Sequence, residues 1–318
     1  MFPAPAFPRV RHSGRMKMQS EGSKKNRKKQ LYGCLLIALA AFCYSWQSPI
    51  TKLLLAEGVR ALDVVTGLSL CSAVLIDGYF LATRKARGIV QEVRENISVV
   101  FLQGLAKFGI NFGLFLALRT MNAGVLSVVY YTAPAFVCVF FMITKIKPVG
   151  AANKIAVLTT VAGCMLALDV FHVSFAELSI PGILLGLLAA VSCGTFTVLT
   201  DLKGRELSFH AITAGALTIN AVLAVLVNPG IFIRIPSFSL LVAGLFLCQA
   251  VVTKIMSIVT ETRGVMHIGA EKATVILALE VPFTLLISYL TLHETMTGIQ
   301  LTGVALVICS VLLLQREN

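Results

Sequence analysis

The sequence predicts an all-α integral membrane protein with ten transmembrane helices, arranged as two inverted repeats of five helices each. Three observations lead to this fold class. Charged residues are scarce, ten apolar segments are each long enough to cross a bilayer, and matching residues recur about 148 positions apart.

The composition separates this chain from soluble proteins. Of its 318 residues, 57% are hydrophobic and only 13% are charged, whereas a soluble domain carries about 25% charged residues. The net charge of +12 comes from short segments between apolar runs rather than from one folded surface, so we expect no nucleic-acid partner. The eight cysteines lie in apolar runs without CxxC spacing, so we expect no metal site and no cofactor.

Ten apolar segments account for most of the chain. A helix needs about 20 apolar residues to cross roughly 30 Å of hydrocarbon. We number the segments that meet this requirement as spans 1 to 10: 31–50, 62–83, 97–118, 121–143, 149–170, 181–200, 209–228, 238–259, 266–290 and 297–315. The gaps between them are too short to hold a soluble catalytic domain, so we expect a protein that is not an enzyme.

Lysine and arginine are distributed unevenly between the two ends of these spans. With the N-terminus placed inside, 21 of the 27 basic residues fall on inner segments and four on outer ones, which leaves Lys107 and Lys254 within spans. Basic residues concentrate in cytoplasmic loops. We therefore expect a multi-pass protein of the plasma membrane with both termini in the cytoplasm.

The two repeats are predicted from spaced matches. Residues 33–41 and 182–190 share the pattern G-x-L-L-x-x-L-A-A at an offset of 149. Three further pairs recur at an offset of 148 or 149: Thr51 and Thr200, Pro134 and Pro282, and Gly150 and Gly298. We therefore expect a first repeat over residues 31–170 and a second over 181–315. They follow a basic, proline-containing segment, residues 1–30, that we expect to be disordered and within which Met16 or Met18 is an alternative start to Met1.

Five helices are an odd number, so the second repeat enters the membrane from the opposite face. Inverted repeats of this kind are typical of secondary transporters, whose substrate site lies near the bilayer midplane between the repeats. We therefore expect a carrier that works by alternating access, with a small-molecule substrate and the lipid bilayer as its partners. Proton or exchange coupling and a homodimer are compatible with this architecture.

Residues 269–315 also resemble a known family. They contain Leu279-Glu280-Val281-Pro282, then Leu292-His293-Glu294, then Gly298-Ile299-Gln300-Leu301-Thr302-Gly303. This order is similar to the signature of the EamA group in the drug/metabolite transporter superfamily. A weaker copy, Tyr131-Thr132-Ala133-Pro134 followed by Gly150, lies in the first half. The chain departs from the family pattern at His293, where a glycine is usual, and in the first copy, which lacks the glutamate before its proline.

The resemblance implies a ten-helix carrier with two EamA repeats, in which spans 1, 3, 4, 6, 8 and 9 line a central cavity. Relatives move amino acids, other metabolites, nucleotide sugars, sugar phosphates and drugs. A small metabolite such as an amino acid, an organic anion or a related compound is the expected substrate, and export is the expected direction. The positive charge of Lys107 favours a substrate with a carboxylate or a phosphate.

Lys107 is the main candidate for a substrate-binding residue. It lies about ten residues, or roughly 15 Å, from either end of span 3. A charge at this depth costs about 2.5–3.5 kcal/mol on insertion scales, so it should face a cavity or a partner. Gln103 and Asn111 lie four residues to either side and form one polar stripe with it. The alternative is a structural lysine paired with a carboxylate or a helix backbone.

Glu280 and Lys254 are the other charged candidates. Glu280 lies mid-span in span 9 and could pair with Lys107, bind a cationic group or carry a coupling proton. Binding of cationic drugs through Glu280 is therefore an alternative function. Lys254 lies about five residues from the predicted inner end of span 8, so we expect it to reach the membrane surface rather than the substrate.

The remaining candidates are polar or aromatic residues and helix breakers. Substrate contacts are predicted for Gln249, Tyr130, Tyr131 and Trp46. Prolines inside membrane helices remove a backbone hydrogen bond, which predicts hinges or helix breaks at Pro49, Pro134 and Pro282. A membrane-embedded enzyme and a scaffold that does not transport remain as alternatives. Neither explains a polar stripe at mid-membrane.

Overall fold

The computed structural model of the chain describes the backbone of residues 12–121, 123–169, 179–204, 206–292 and 296–316, and it is all-helical over these residues. Eight of the described helices are long and apolar enough to cross a membrane: Lys28–Ala56, Ala61–Ala82, Ile97–Ala117, Val125–Thr144, Ile180–Lys203, Phe209–Val227, Leu240–Ile268 and Ala270–Thr291. They correspond to spans 1–4 and 6–9. Spans 5 and 10 are the shorter apolar helices Ala151–Ala167 and Gly298–Leu314.

Serine caps start three helices of the second half. The hydroxyls of Ser179, Ser208 and Ser239 accept hydrogen bonds from the backbone N–H groups of Gly182, Ala211 and Val242. Each cap satisfies one of the N–H groups that a helix start leaves without a partner. Spans 6, 7 and 8 therefore begin where the sequence supplies a capping residue.

The junction between spans 8 and 9 differs from the prediction. Span 8 continues to Ile268, and Gly269 alone separates it from Ala270, the first residue of span 9. Gly269 adopts φ +85°, a conformation that glycine tolerates far better than other residues. The predicted end at residue 259 was wrong because the polar run over 260–263 was interpreted as a loop.

The N-terminal segment also differs from the prediction. The helix that forms span 1 begins at His12 and runs to Ser45, so the disorder expected for residues 1–30 does not hold over 12–30. Residues 1–11 lie outside the described part. The prolines that argued for disorder precede residue 9, and the Lys, Arg, Gln and Met that follow are good helix formers. A stable apolar helix directly after them removes the need for nucleation.

Three shorter helical elements lie between spans in the described part of the chain. Ala86–Glu95 forms a strongly amphipathic helix between spans 2 and 3. The single turn Ile231–Arg234 and a 3₁₀ turn, Ile235–Ser237, connect spans 7 and 8.

Packing between spans follows a regular pattern. Span 1 packs on span 8, and span 3 packs on span 6. Span 2 contacts spans 7 and 8, and span 7 also contacts span 3. Span 1 contacts span 9, and span 4 contacts span 6. Spans 4 and 9 meet each other, as do spans 5 and 10. Each of these pairs has a counterpart in the set, or is its own counterpart, when span n is exchanged with span n + 5. The contacts of span 6 with spans 8 and 9, and of span 5 with span 9, have no counterpart of similar extent.

Glycines allow the closest of these contacts. A Cβ atom on Gly264 would collide with the side chain of Ile37, which brings span 8 against span 1. Gly113 makes the equivalent approach between span 3 and Leu185 and Ala189 of span 6. Small residues are the usual means of close helix approach in membranes.

Candidate functional site

A central cavity lies between the two halves of the chain. About 100 Å³ of it is open to the centre of a water-sized molecule, and the whole space between its lining atoms, with the open solvent at its mouth, is about 930 Å³. Residues of spans 1, 3, 4, 6, 7, 8 and 9 line it, so both halves contribute. Its polar or charged lining residues are Tyr44, Gln47, Lys107, Asn111, Tyr130, Tyr131, Cys193, Asn220, Lys254, Glu261, Thr274 and Glu280.

Lys107 forms a buried ion pair. Its Nζ lies 3.0 Å from Oε2 of Glu261 in span 8, with 13% and 2% of the two side chains exposed. Tyr44 in span 1 donates a 2.6 Å hydrogen bond to the same Glu261 oxygen and lies 3.3 Å from Nζ of Lys107. The ammonium group also lies 3.8 Å from the ring centroid of Phe196 in span 6, a favourable cation–π position. Four spans therefore meet at this charge cluster.

The sequence had placed Lys107 correctly at mid-span but had not identified its partner. Glu280, which was considered as a partner, forms no ion pair with Lys107 in the part of the chain that the structure describes. Glu261 was missed because it lies in the polar run that was interpreted as a loop. The sequence did contain an indication of this role. Glu261 follows Lys254 by seven residues, or two helical turns, so the two side chains lie on one face if the helix is continuous.

Lys254 lines the cavity, contrary to the expectation that it reaches the membrane surface. Because span 8 continues to Ile268, this lysine lies 14 residues from the helix end. Its Nζ donates a 2.9 Å hydrogen bond to Oδ1 of Asn111. Asn111 in turn donates to Asn220 at 3.2 Å, and Asn220 donates to Ser69 at 3.0 Å. A chain of neutral groups thus connects Lys254 through span 3 to spans 7 and 2.

Glu280 and the two tyrosines of span 4 lie on another part of the wall. Tyr131 and Glu280 both line the cavity, and Tyr131 interacts with the Glu280 carboxyl. The hydroxyl of Tyr130 lies 3.6 Å from Sγ of Cys193, and the two tyrosine rings meet edge to face at 5.3 Å. These three residues, predicted as substrate contacts, all face the cavity.

Gln103, Gln249 and Trp46 do not line the cavity. Both glutamines are fully buried between helices: Nε2 of Gln103 donates to Thr200 at 3.2 Å, and Nε2 of Gln249 donates to Thr51 at 2.8 Å. Each amide is thereby held on a neighbouring span. The Trp46 ring instead packs edge to face on Phe42, with 6.5 Å between ring centroids.

The two glutamine contacts are related by the repeat. Gln103 joins span 3 to span 6, and Gln249 joins span 8 to span 1. Thr51 and Thr200, their acceptors, are the pair identified from the sequence at an offset of 149. In both glutamines, Oε1 is buried without a hydrogen-bond partner among the described residues.

Helix breaks accompany the three prolines. Helices end at Ser45, Tyr130 and Leu277, and restart at Gln47, Ala133 and Glu280. Each break lies close to the residue four positions before Pro49, Pro134 or Pro282. The backbone carbonyl of that earlier residue has no donor, because proline lacks an N–H group. Such irregular backbone is tolerated in membranes where it lines a cavity. The second and third breaks adjoin the cavity residues Tyr131 and Glu280.

Span 8 contains a π-helix from Ala250 to Met256. Gln103 and Lys107 are four residues apart in span 3, but Gln249 and Lys254 are five apart in span 8. The wider π turn accommodates the extra residue, and both lysines line the cavity while both glutamines bond to the span beside them. π-Bulges of this kind are frequent at functional sites.

Polar contacts join the halves at the face that was predicted to be cytoplasmic. Nζ of Lys147, after span 4, lies 2.6 Å from Asp201 at the end of span 6. Asp201 also accepts a 3.0 Å hydrogen bond from the backbone N–H of Ala270. Asn153 in span 5 donates to Glu271 in span 9 at 2.6 Å. These contacts hold the starts and ends of several spans together on that side of the cavity.

A second polar cluster lies at the opposite face. The buried carboxylate of Asp63, at the start of span 2, accepts two hydrogen bonds from Arg234 at 2.8 and 2.6 Å and one from Asn228 at 2.8 Å. Hydrogen bonding to Asp63 raises the pKa of Arg234 above its usual value. This cluster ties span 2 to the connection between spans 7 and 8.

Replacing Arg234 with leucine is expected to lower the thermal midpoint of unfolding, because the Asp63 carboxylate loses its cationic partner. Thermal unfolding of the purified protein in detergent measures the change. Arg119→Leu is the matched control, since Arg119 is exposed and contacts only the Phe115 ring at 4.9 Å among its described contacts; it should cost less than about 1 kcal/mol. Equal effects of the two substitutions would show that the cluster does not stabilise the fold.

The structure shows no group of three or more His, Cys, Asp or Glu side chains that could hold a metal ion, within the residues that it describes. The cavity itself offers two lysines, two glutamates and their amide and hydroxyl neighbours for the binding of charged and polar groups.

Comparison with known proteins agrees with this architecture. Residues 180–316 match the EamA-like transporter family, which confirms the resemblance to that group over the second half. The chain is similar to a solved structure titled "Crystal structure of protein", with a TM-score of 0.70 and 17% sequence identity over 90% of this chain and 96% of that chain. This likeness shows the fold alone. Comparison with curated protein sequences gives no match. The family match and the apolar helices together identify a multi-pass membrane protein.

Proposed function

We propose that this protein is a secondary carrier that moves a small metabolite across the plasma membrane by alternating access to the central cavity. One observation carries the proposal: a cavity lined by charged residues from both halves lies between helices that are broken or widened beside it. Substrate sites of secondary transporters lie between repeats and are formed by discontinuous helices of this kind.

Packing supports the inverted-repeat arrangement that alternating access needs. The most extensive contacts between spans (5 with 10, 3 with 6, 1 with 8, 3 with 7 and 2 with 7) keep their pairing when the two halves exchange numbers, and the Gln103–Thr200 and Gln249–Thr51 hydrogen bonds are related in the same way. We propose ten membrane crossings in two inverted halves, with the shorter spans 5 and 10 packed against each other. The match to the EamA-like transporter family supports the same function.

The polar contacts on the predicted cytoplasmic face favour a conformation in which that face is closed. Lys147 with Asp201 and Asn153 with Glu271 both connect the first half to the second. Substrate release on that side would require these contacts to separate. We propose that they form the gate of this face.

A two-stage experiment tests the function. Thermal stability of the purified protein is first measured with amino acids, phosphorylated metabolites and cationic drugs, because a ligand that binds the folded state raises apparent stability. Compounds that stabilise the protein are then tested for uptake and efflux in liposomes containing it. Stabilising ligands that never cross the bilayer would contradict the carrier function.

Lys107→Ala is expected to reduce transport to less than about one hundredth of the wild-type rate, equivalent to roughly 2.7 kcal/mol. The substitution removes a charge from the cavity wall and leaves Glu261 without its cation. Lys154→Ala is the control, since Lys154 is exposed on the predicted cytoplasmic face. Wild-type transport by a folded Lys107→Ala protein would remove Lys107 from the site.

A further inference from the structure

The four charged side chains of the cavity are not equivalent. Lys107 and Glu261 neutralise each other at 3.0 Å, and the Tyr44 hydroxyl occupies the same Glu261 oxygen. Lys107 is further covered by the Phe196 ring at 3.8 Å. A ligand would have to break this cluster before it could bind either charge, so the pair is poorly suited to be the first point of recognition.

Lys254 and Glu280, by contrast, have only neutral partners. Lys254 donates to the amide oxygen of Asn111, and Glu280 interacts with the Tyr131 hydroxyl. Neither side chain forms an ion pair within the described part of the chain. An isolated charge in a membrane-embedded site is costly unless it is paired. The cavity therefore presents one cation and one anion that attract each other across it but form no direct ion pair among the described residues.

We propose that the cavity recognises a zwitterion, with its anionic group bound by Lys254 and its cationic group by Glu280. This inference rests on the proposed function in taking the central cavity as the substrate site. A simple anion would pair with Lys254 but be repelled by Glu280. A simple cation would pair with Glu280 but be repelled by Lys254. A zwitterion pairs with both residues and leaves the net charge of the cavity unchanged.

The backbone around both residues is also distinctive. Lys254 lies in the π-helix Ala250–Met256, and Glu280 directly follows the break after Leu277. Both charges thus lie on the cavity wall beside a departure from α-helix. The charges are held ready for a ligand, which lowers the ordering cost of binding.

The remaining wall indicates what the zwitterion carries besides its charges. Apolar side chains line the cavity beside the charged residues, among them Ile110, Leu114, Leu217, Ile258 and Leu277. Such surface favours an apolar substituent over a second polar group. The expected ligand is thus a compact molecule with adjacent opposite charges and an apolar side group, the chemistry of a neutral α-amino acid.

Ligand triplets with one carbon skeleton test the charge pattern. Each triplet consists of the zwitterion, the amine without the carboxylate and the acid without the amine: phenylalanine, phenethylamine and 3-phenylpropionate, and likewise leucine, isopentylamine and 4-methylpentanoate. Binding to purified full-length protein is measured by titration calorimetry up to 10 mM. At least one zwitterion should bind at least tenfold more tightly than its amine and its acid. Failure of both zwitterions to bind, or an acid or amine that binds as tightly, overturns the proposal.

Two substitutions assign the groups. Lys254→Met should reduce zwitterion affinity to that of the amine, and Glu280→Gln should reduce it to that of the acid. Lys154→Met and Glu57→Gln are matched controls at exposed positions and should keep wild-type affinity. Thermal midpoints of all four variants establish that they are folded. Wild-type zwitterion affinity in both cavity variants would contradict the assignment.

Transport measurements separate this inference from the proposed function. Binding with the expected charge pattern but without movement across liposomes would contradict the carrier function and leave the zwitterion site intact. Transport of the acids or amines alone would keep the carrier function and overturn the zwitterion site.

Discussion

Replacing Glu261 with alanine is expected to lower the free energy of unfolding by about 3–5 kcal/mol, because it leaves the ammonium group of Lys107 buried without a counter-charge. Glu261 is 1% exposed and is the acceptor for both Lys107 and Tyr44. Unfolding in detergent, followed by circular dichroism against temperature, measures the loss. Glu57→Ala, at an exposed position, should change stability by less than about 0.5 kcal/mol.

The double variant Lys107→Met with Glu261→Leu gives the complementary result. Replacing both partners of a buried ion pair with apolar residues of similar size is often neutral or stabilising. We expect this variant to recover most of the stability lost in Glu261→Ala and still fail to transport. A double variant as unstable as the single one would show that the loss does not arise from the unpaired Lys107 charge.

Gly303→Val is expected to prevent correct packing of spans 5 and 10, at a loss of more than about 3 kcal/mol. A Cβ atom at Gly303 would collide with the backbone of Gly163 and Ala167 across the interface, and backbone cannot move aside as a flexible side chain can. The buried Thr160–Ser310 hydrogen bond of 2.7 Å lies at the same interface and would be strained.

The yield of monodisperse protein on size exclusion, together with the thermal midpoint, measures this effect. Gly244→Val is the control, because no atom lies within 4 Å of a Cβ built on Gly244 in span 8. Both substitutions add the same apolar bulk to a membrane helix, so they differ only in what the new side chain meets. Comparable yields and midpoints for the two variants would contradict the close approach of spans 5 and 10.

The positions of the spans could be predicted because hydrocarbon imposes a length and a composition on any helix that crosses it. The structure of segments that depend on tertiary partners could not be predicted in this way. The run Thr260-Glu261-Thr262-Arg263 is too polar to be predicted inside a span, and its charged residues are accommodated by tertiary contacts, Glu261 with Lys107 and Tyr44 and Arg263 with the Phe209 ring. The missed end of span 8 also led to the wrong location for Lys254.

The prediction of the site was best for a charged residue at mid-membrane, because such a residue has few environments that can accommodate it. A lysine at the centre of span 3 had to face a partner or a cavity, and Lys107 does both. Gln103 and Gln249 had no such constraint, because an amide can be satisfied by a hydroxyl on the next helix. Thr200 and Thr51 supply those hydroxyls, and no pattern within spans 3 or 8 indicates them.

The π-helix of span 8 has a consequence for how the two halves could diverge. Inserting one residue into an α-helix turns everything beyond it by about 100°, which would carry Lys254 and Glu261 away from the cavity. The wide turn over Ala250–Met256 absorbs the residue locally. The extra residue therefore lengthens span 8 without turning the side chains that follow it. The second half could gain a residue at mid-membrane while Lys254 still faced the cavity.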